Sequence, residues 1–218
     1  MIVKLLTSAQ TLHDMENNAA LAVLTCHANT DKEFVPSEVL TRIIKAGHES
    51  ILEHINLTYS VKGLSRACLQ ELARHRHISL SVESTRHTLR KNVLANMEEE
   101  LEIYAPMNIT YENLCILGNK VIPTLGEFLV ELIRDMVGRY PSMPNDELKY
   151  YLPEFWPTNL ILTSNIRELR HILNLRTAPE ALKEFRDLAR SMFDVVPDEF
   201  KYLLKDCVRE EDEHDIQP

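Results

Sequence analysis

The chain has 218 residues, 44% of them hydrophobic, with only five glycines and a formal net charge of −9. That length and apolar content suffice for one domain with a real core over residues 1–208, and the scarcity of glycine argues against a β-rich or loop-rich fold. An acidic balance excludes the usual duplex binder, which spreads positive charge over a whole face.

In chain order, residues 2–6 read as a short strand and Thr11–His27 as a helix. Ser37 is placed to cap a second helix, Glu38–Ala46, which Gly47 ends. Ile55–Lys62 alternates apolar and polar residues throughout, the pattern of a strand with one buried face. Leu64–Ala73 reads as a helix that delivers Arg74–Arg76 at its C-terminal end. Leu125, Phe128, Leu129, Leu132, Ile133, Met136 and Val137 recur at helical spacing and predict a long helix near 110–139, broken by Pro141 and Pro144. A short helix at Asn145–Leu152, a strand at Asn159–Ser164 and helices at 166–176 and 180–195 follow. Thr177-Ala178-Pro179-Glu180 has the form of a capping box opening the last of these. The tail 209–218 carries five acids and is expected to be disordered. Strands separated by unequal helical insertions predict an α+β fold, a small mixed or antiparallel sheet flanked by helices.

Two patterns carry chemistry. Between Lys62 and Lys91 stand seven of the chain's 24 Lys/Arg residues and only two of its 33 acids, Glu71 and Glu83. A basic island in an acidic protein suits a small anionic ligand. At its centre, Arg74-His75-Arg76 is followed after seven residues by Ser84 and then by Arg86. Consecutive side chains point to different sides of a regular backbone, so this cluster cannot relax onto one solvated face, and guanidinium groups bind phosphate bidentately. On the helix from Ile166, the apolar face is Ile166, Leu169 and Leu173, while Arg167, His171 and Asn174 share another face at i, i+4 and i+7.

Four blocks in order resemble the flavin-dependent thymidylate synthases. They are the segment Gly47-His48-Glu49-Ser50-Ile51-Leu52-Glu53-His54, the Arg-His-Arg-x7-Ser signature, Asn165-Ile166-Arg167 and Asn174-Leu175-Arg176. The resemblance implies conversion of dUMP to dTMP in a single catalytic domain, with methylenetetrahydrofolate as one-carbon donor and NADPH reducing a bound FAD. It also implies a homotetramer whose active sites are shared between subunits. By position, Ser50, Arg74, His75, Arg76, Asn165, Arg167 and His171 are the expected FAD contacts. Glu71, Arg74, Ser84, Thr85, Arg86, Lys149 and Arg176 are the expected dUMP contacts. Arg176 takes the catalytic place, beside the uracil, where a fixed cation favours the ionised base. Four positions depart from the family pattern: Glu71 stands where glutamine is frequent, Glu83 lies one position late, Lys149 replaces an arginine and His171 an asparagine. Glu71 is left to pair with an arginine or to accept from a uracil N–H. Ser84 has no general base placed beside it and is read as a hydrogen-bond donor.

Other classes are disfavoured. A nucleic-acid module conflicts with the charge balance. No HExxH and no ligand-spaced His/Asp pair supports a metal hydrolase, so no metal is expected. Cys26, Cys68, Cys115 and Cys207 are scattered, without a CxxC pair, which suits reduced thiols. Met1–Leu6 is too short and too soon polar for a secretory leader, and no apolar run has the length of a membrane span. The sequence therefore predicts a cytoplasmic protein with no membrane contact.

Overall fold

The structure, a computed structural model, describes residues 1–95, 110–117 and 120–209. Its elements are β1 (Ile2–Leu5), α1 (Ala9–Cys26), α2 (Pro36–Lys45), β2 (Asn56–Ser65), α3 (Arg66–Leu72), β3 (Ile78–Val82), α4 (Thr85–Ala95), β4 (Thr110–Leu117) and β5 (Lys120–Thr124). They continue with α5 (Leu125–Arg139), α6 (Asn145–Leu148), β6 (Pro157–Asn165), α7 (Ile166–Arg176) and α8 (Lys183–Asp194), and a 3-10 helix at Glu49–His54 precedes β2. A four-stranded antiparallel sheet runs in the order β1-β2-β6-β3, and β4 pairs with β5. The α+β class predicted from the sequence therefore holds.

The chain forms two compact units, neither continuous in sequence. Of the described residues, the first holds Met1, 62–70, 82–95, 110–117 and 120–160; the second holds 2–61, 71–81 and 161–209. In the first unit, Leu89 and Val93 of α4, Val130, Ile133 and Val137 of α5, Leu148 and Trp156 make one buried apolar cluster. Their i, i+3, i+4 and i+7 spacings are what two helices need to bury one stripe each. Arg90 caps the C-terminal end of α5, donating to the carbonyls of Val137 (3.3 Å), Tyr140 (3.2 Å) and Met143 (2.6 Å). That satisfies carbonyls the helix leaves open and places a cation at its negative end. Glu83 also has a structural task here, accepting from Asn92 Nδ2 and Asn159 Nδ2, both at 2.6 Å. Asn159 in turn accepts from the N–H of Gly63, whose φ of +73° suits a residue without Cβ.

In the second unit, α7 packs against α8 and the 3-10 helix at Glu49–His54. Asn165 caps α7, its Oδ1 accepting from the N–H of Glu168 at 2.8 Å. Ile166, Leu169, Ile172 and Leu173 are buried, and so are two charged residues of the same helix, Glu168 and Arg170. Arg170 donates bidentately to Asp206 at 2.6 and 2.7 Å, to Glu49 at 3.0 Å and to the Leu203 carbonyl at 2.7 Å. Its hydrogen bond from Arg170 holds the Asp206 carboxyl below the ordinary carboxylate range. A lowered folded-state pKa stabilises above the unfolded value of about 3.9, and the benefit disappears as pH falls through the folded value. Asp206→Asn is therefore expected to cost about 1–3 kcal/mol at neutral pH, reduced from a fully buried pair because half of the Asp206 side chain is solvated. Thermal unfolding of both proteins should show the gap closing below about pH 4.

Several elements differ from the sequence reading. The helix expected near 110–139 begins at Leu125; residues 110–117 and 120–124 are the strands of a hairpin, with Cys115 opposite Ile122 and Ile116 opposite Val121. Pro123 is incompatible with a helix interior, and the flanking β-branched residues suit a pleated surface. The buried stripe of α5 runs through Val130, whereas Leu132 is 37% exposed. α2 opens with Pro36 at its first turn after Val35, so Ser37 lies inside the helix rather than capping it. The Thr177–Glu180 capping box does not open α8, which starts at Lys183. Thr177 instead donates to the Leu173 carbonyl and accepts from the N–H of Arg209. The strand β3 and helix α4 had no counterpart in the reading. Residues 210–218 of the acidic tail lie outside the described residues.

Candidate active site

The second unit gathers most of the predicted cations around one turn. Arg74–His77 links α3 to β3, closed by the N–H of Arg74 on the Glu71 carbonyl (3.3 Å) and that of His75 on the Leu72 carbonyl (3.1 Å). The turn splits the tripeptide as its composition demands, with His75 buried and Arg74 and Arg76 exposed. Arg74, at 76% side-chain exposure, reaches Glu71 only at 3.6 Å. Both arginines line a cavity of about 300 Å³ together with His75, His171 and Arg176.

Arg176, the last residue of α7, is held by three contacts. Its Nε–H donates to His75 Nε2 at 3.2 Å, its Nη1 donates to Glu71 at 3.3 Å, and its guanidinium lies 4.6 Å from the Phe185 ring centroid. A second cavity, of about 470 Å³, is lined by Asn165 at the end of β6, by Arg167 and His171 on α7 and by Glu49 and Glu53 of the 3-10 helix. Arg167 Nη1 donates to Glu53 at 2.6 Å. His77, Glu168 and His171 line both cavities. Ser50 is exposed and lines neither.

His75, Glu168 and His171 offer ligand atoms within 4.8 Å of one another. We read no metal there, because both ring nitrogens of His75 are engaged, one with Glu168 at 3.0 Å and the other with Arg176. Burial holds the His75 imidazole below the ordinary histidine range, partly opposed by the Glu168 carboxylate and reinforced by Arg176.

The remaining predicted residues lie in the first unit. The carbonyl of Ser84 accepts from the N–H groups of His87 and Thr88, both at 3.0 Å, which puts Ser84 and Thr85 at the head of α4. Helix N-termini present open N–H groups and a positive dipole end, the usual setting for an anion. Arg86 and Lys149 share Asp146: Arg86 Nε is 3.0 Å from its Oδ2 and Lys149 Nζ 3.4 Å from its Oδ1. The Arg86 hydrogen bond holds the Asp146 carboxyl below its ordinary range. Asn145 Nδ2 donates to the Arg86 carbonyl at 2.8 Å and fixes the backbone there.

Sequence reasoning found the cations and missed the acids that seat them: Glu53 on Arg167, Glu168 on His75, Asp146 on Arg86 and Lys149. The Asn165-x-x-Glu168 spacing was a visible signal, since it is a helix-start pattern that singles out Glu168. The Asp146-x-x-Lys149 spacing likewise marks Asp146, whereas Glu53 finds its partner, Arg167, 114 positions away.

Comparison with known proteins shows the family. The family model described as thymidylate synthase complementing protein matches residues 5–200. The flavin-dependent thymidylate synthase of Helicobacter pylori is 39% identical over 167 residues, 74% of this chain and 77% of that one. That of Campylobacter jejuni is 39% identical over 187 residues, 85% of each chain. A crystal structure of the Helicobacter pylori thymidylate synthase X, with FAD and dUMP, superposes with a TM-score of 0.74 at 33% identity, covering 96% of this chain and all of that one. With a family match across nearly its whole length and relatives of this closeness, the chain belongs to the flavin-dependent thymidylate synthase family.

Proposed function

We propose that this protein methylates dUMP reductively to dTMP with FAD as its cofactor. In this reading 5,10-methylenetetrahydrofolate donates the one-carbon unit and NADPH reduces the flavin. The observation that carries the proposal is the turn Arg74–Arg76 facing a cavity shared with Arg176 in a chain of this family.

The residues fit the flavin. A cofactor with a pyrophosphate needs accessible cations, and Arg74 and Arg76 are exposed on the cavity wall. Its hydroxyl-bearing chain needs acceptors, which Glu49 and Glu53 supply across from Asn165 and Arg167. A volume of about 470 Å³ is within the ordinary range of cofactor sites. We assign FAD to Ser50, Arg74, His75, Arg76, Asn165, Arg167 and His171. Reduced FAD, when bound, supplies the hydride that completes the methyl group.

The chain's own groups bind and polarise dUMP. Ser84, Thr85 and Arg86 at the head of α4, with Lys149, hold the phosphate; Lys149 acts there as a point charge without a fork. Arg74, Glu71 and Arg176 take the rest of the nucleotide, and Arg176 is the catalytic residue. A guanidinium beside an N–H acid lowers its pKa and favours the ionised uracil, the more nucleophilic base. These residues divide between the two units, and the proposed homotetramer with shared sites lets more than one chain contribute them. We take residues 1–208 as the catalytic domain and the cytoplasm as its place. No helix among the described residues is long and apolar enough to cross a membrane.

The test is a dTMP assay with purified protein. Product is expected only when FAD, NADPH, dUMP and methylenetetrahydrofolate are all supplied, and dTMP formed without flavin would refute the reading. A thiol nucleophile is not part of this chemistry. Cys68 is buried, and burial pushes the Cys207 thiol up to about 11. A variant with Cys26, Cys115 and Cys207 changed to serine and Cys68 to alanine should keep dTMP formation within roughly threefold of wild type, the spread of a small packing loss. Complete loss in a folded variant would favour thiolate attack instead.

A further inference from the structure

Contacts, rather than backbone geometry alone, aim the guanidinium of Arg176. A guanidinium is always protonated and accepts no hydrogen bond, so the His75 Nε2 that receives its Nε–H at 3.2 Å must carry a lone pair. The ring proton of neutral His75 then sits on Nδ1, 3.0 Å from Glu168 Oε1, and donates to it. His75 and Glu168 are 7% and 8% exposed, so neither can exchange this partner freely for water. His171 lies edge-on 5.7 Å from the His75 ring and Phe185 edge-on 5.8 Å from it, so two rings restrict how far the imidazole can turn.

Glu168 has an ordinary structural explanation as the third residue of a capped helix. In a capping box its carboxylate would turn back to the N–H of Asn165. No such bond exists among the described residues; Asn165 caps the Glu168 N–H, while the carboxylate goes to His75.

We propose that Glu168 is a positioning residue: its carboxylate selects the Nδ1–H tautomer of His75, so that Nε2 accepts from Arg176 and fixes that guanidinium for the substrate base. The opposite tautomer would set an Nε2–H against an N–H donor, and the guanidinium would have to turn away. The same logic orders metal-bound and catalytic histidines, where the group on one ring nitrogen decides what the other presents. The proposal rests on the reading of Arg176 as a dUMP contact and adds what orients it.

The tautomer can be read directly by nitrogen NMR on FAD-loaded enzyme carrying 15N-histidine. His75 is expected to show a protonated Nδ1 and a bare Nε2 at neutral pH; a protonated Nε2 in the unmodified protein overturns the proposal, with no variant needed. Glu168→Gln keeps the side chain's size and removes its charge. It should mix the two tautomers and raise the Kd for dUMP roughly threefold to tenfold, the loss from weakening one hydrogen bond rather than deleting a cation. A purely packing role would leave both readouts unchanged. In an Arg176→Ala background the same substitution should add nothing, because the group through which Glu168 acts is gone. Full additivity overturns the positioning role and leaves Arg176 as a dUMP contact. Wild-type dUMP affinity in Arg176→Ala alone overturns both.

Discussion

Arg74→Ala is expected to purify as a folded, colourless protein. The fold does not depend on this side chain, which is 76% exposed and makes only a 3.6 Å ion pair with Glu71 three residues away. An exposed pair of that kind contributes about 0–1 kcal/mol, so the melting temperature should move little. His75, the buried member of the turn, is untouched. In the proposed complex, however, Arg74 supplies an exposed guanidinium, only loosely paired with Glu71, to the flavin pyrophosphate and to the nucleotide. Losing one charge-assisted contact costs about 1.5–3 kcal/mol, roughly one to two decades in FAD affinity, enough for the cofactor to leave during gel filtration. The measurement is flavin absorbance per mole of folded protein. A variant as yellow as wild type would remove Arg74 from the flavin site.

How much of this was legible beforehand can be judged from particular elements. α7 was predicted at residues 166–176 and occupies Ile166–Arg176, because a capping asparagine, an apolar stripe and a helix-breaking sequence agree there. The strand at Ile55–Lys62 was legible for a similar reason: the buried residues Leu57, Tyr59 and Val61 alternate with more exposed neighbours in β2. The hairpin of β4 and β5 escaped because the helical stripe of Leu125–Val137 was extended back over residues 110–124, where none of its residues lies. Pro123 was the residue that should have decided the matter. β3 is short, and the alternation of Ile78-Ser79-Leu80-Ser81-Val82 lies inside the spacer between Arg76 and Ser84, where the flanking charges dominate the pattern.

In the candidate site the cations were legible because they cluster in sequence. Their counter-ions were not. Arg167 and Glu53 lie 114 positions apart and His75 and Glu168 lie 93 apart, so only the fold brings each pair together. Glu71 shows the same limit more gently. It lies on Arg176 at 3.3 Å and 3.6 Å from Arg74, the first of the two roles left open for it.

Arg176→Ala is expected to separate the two ligands, keeping flavin while losing dUMP. Its guanidinium sits at the end of α7, beyond the Asn165, Arg167 and His171 wall assigned to FAD, and its partners are His75, Glu71 and the face of Phe185. Among the described residues its Nη2 has no protein partner, so donors remain for a ligand. Truncation removes the charge that would anchor the uracil and favour its ionised form. It also removes the nearer of the two arginines that pair with Glu71, leaving only Arg74 at 3.6 Å to offset that carboxylate beside an anionic nucleotide, which adds to the loss. The Kd for dUMP on the FAD-loaded variant should rise by one to two decades, the effect of about 1.5–3 kcal/mol, and dTMP formation at saturating dUMP should remain low. Arg176→Lys should recover part of the affinity and less of the turnover, because an ammonium keeps the charge but not the planar fork held between His75 and Glu71. A dUMP titration followed by the product assay reads both. Wild-type dUMP affinity together with a colourless protein would move this arginine from the nucleotide to the flavin.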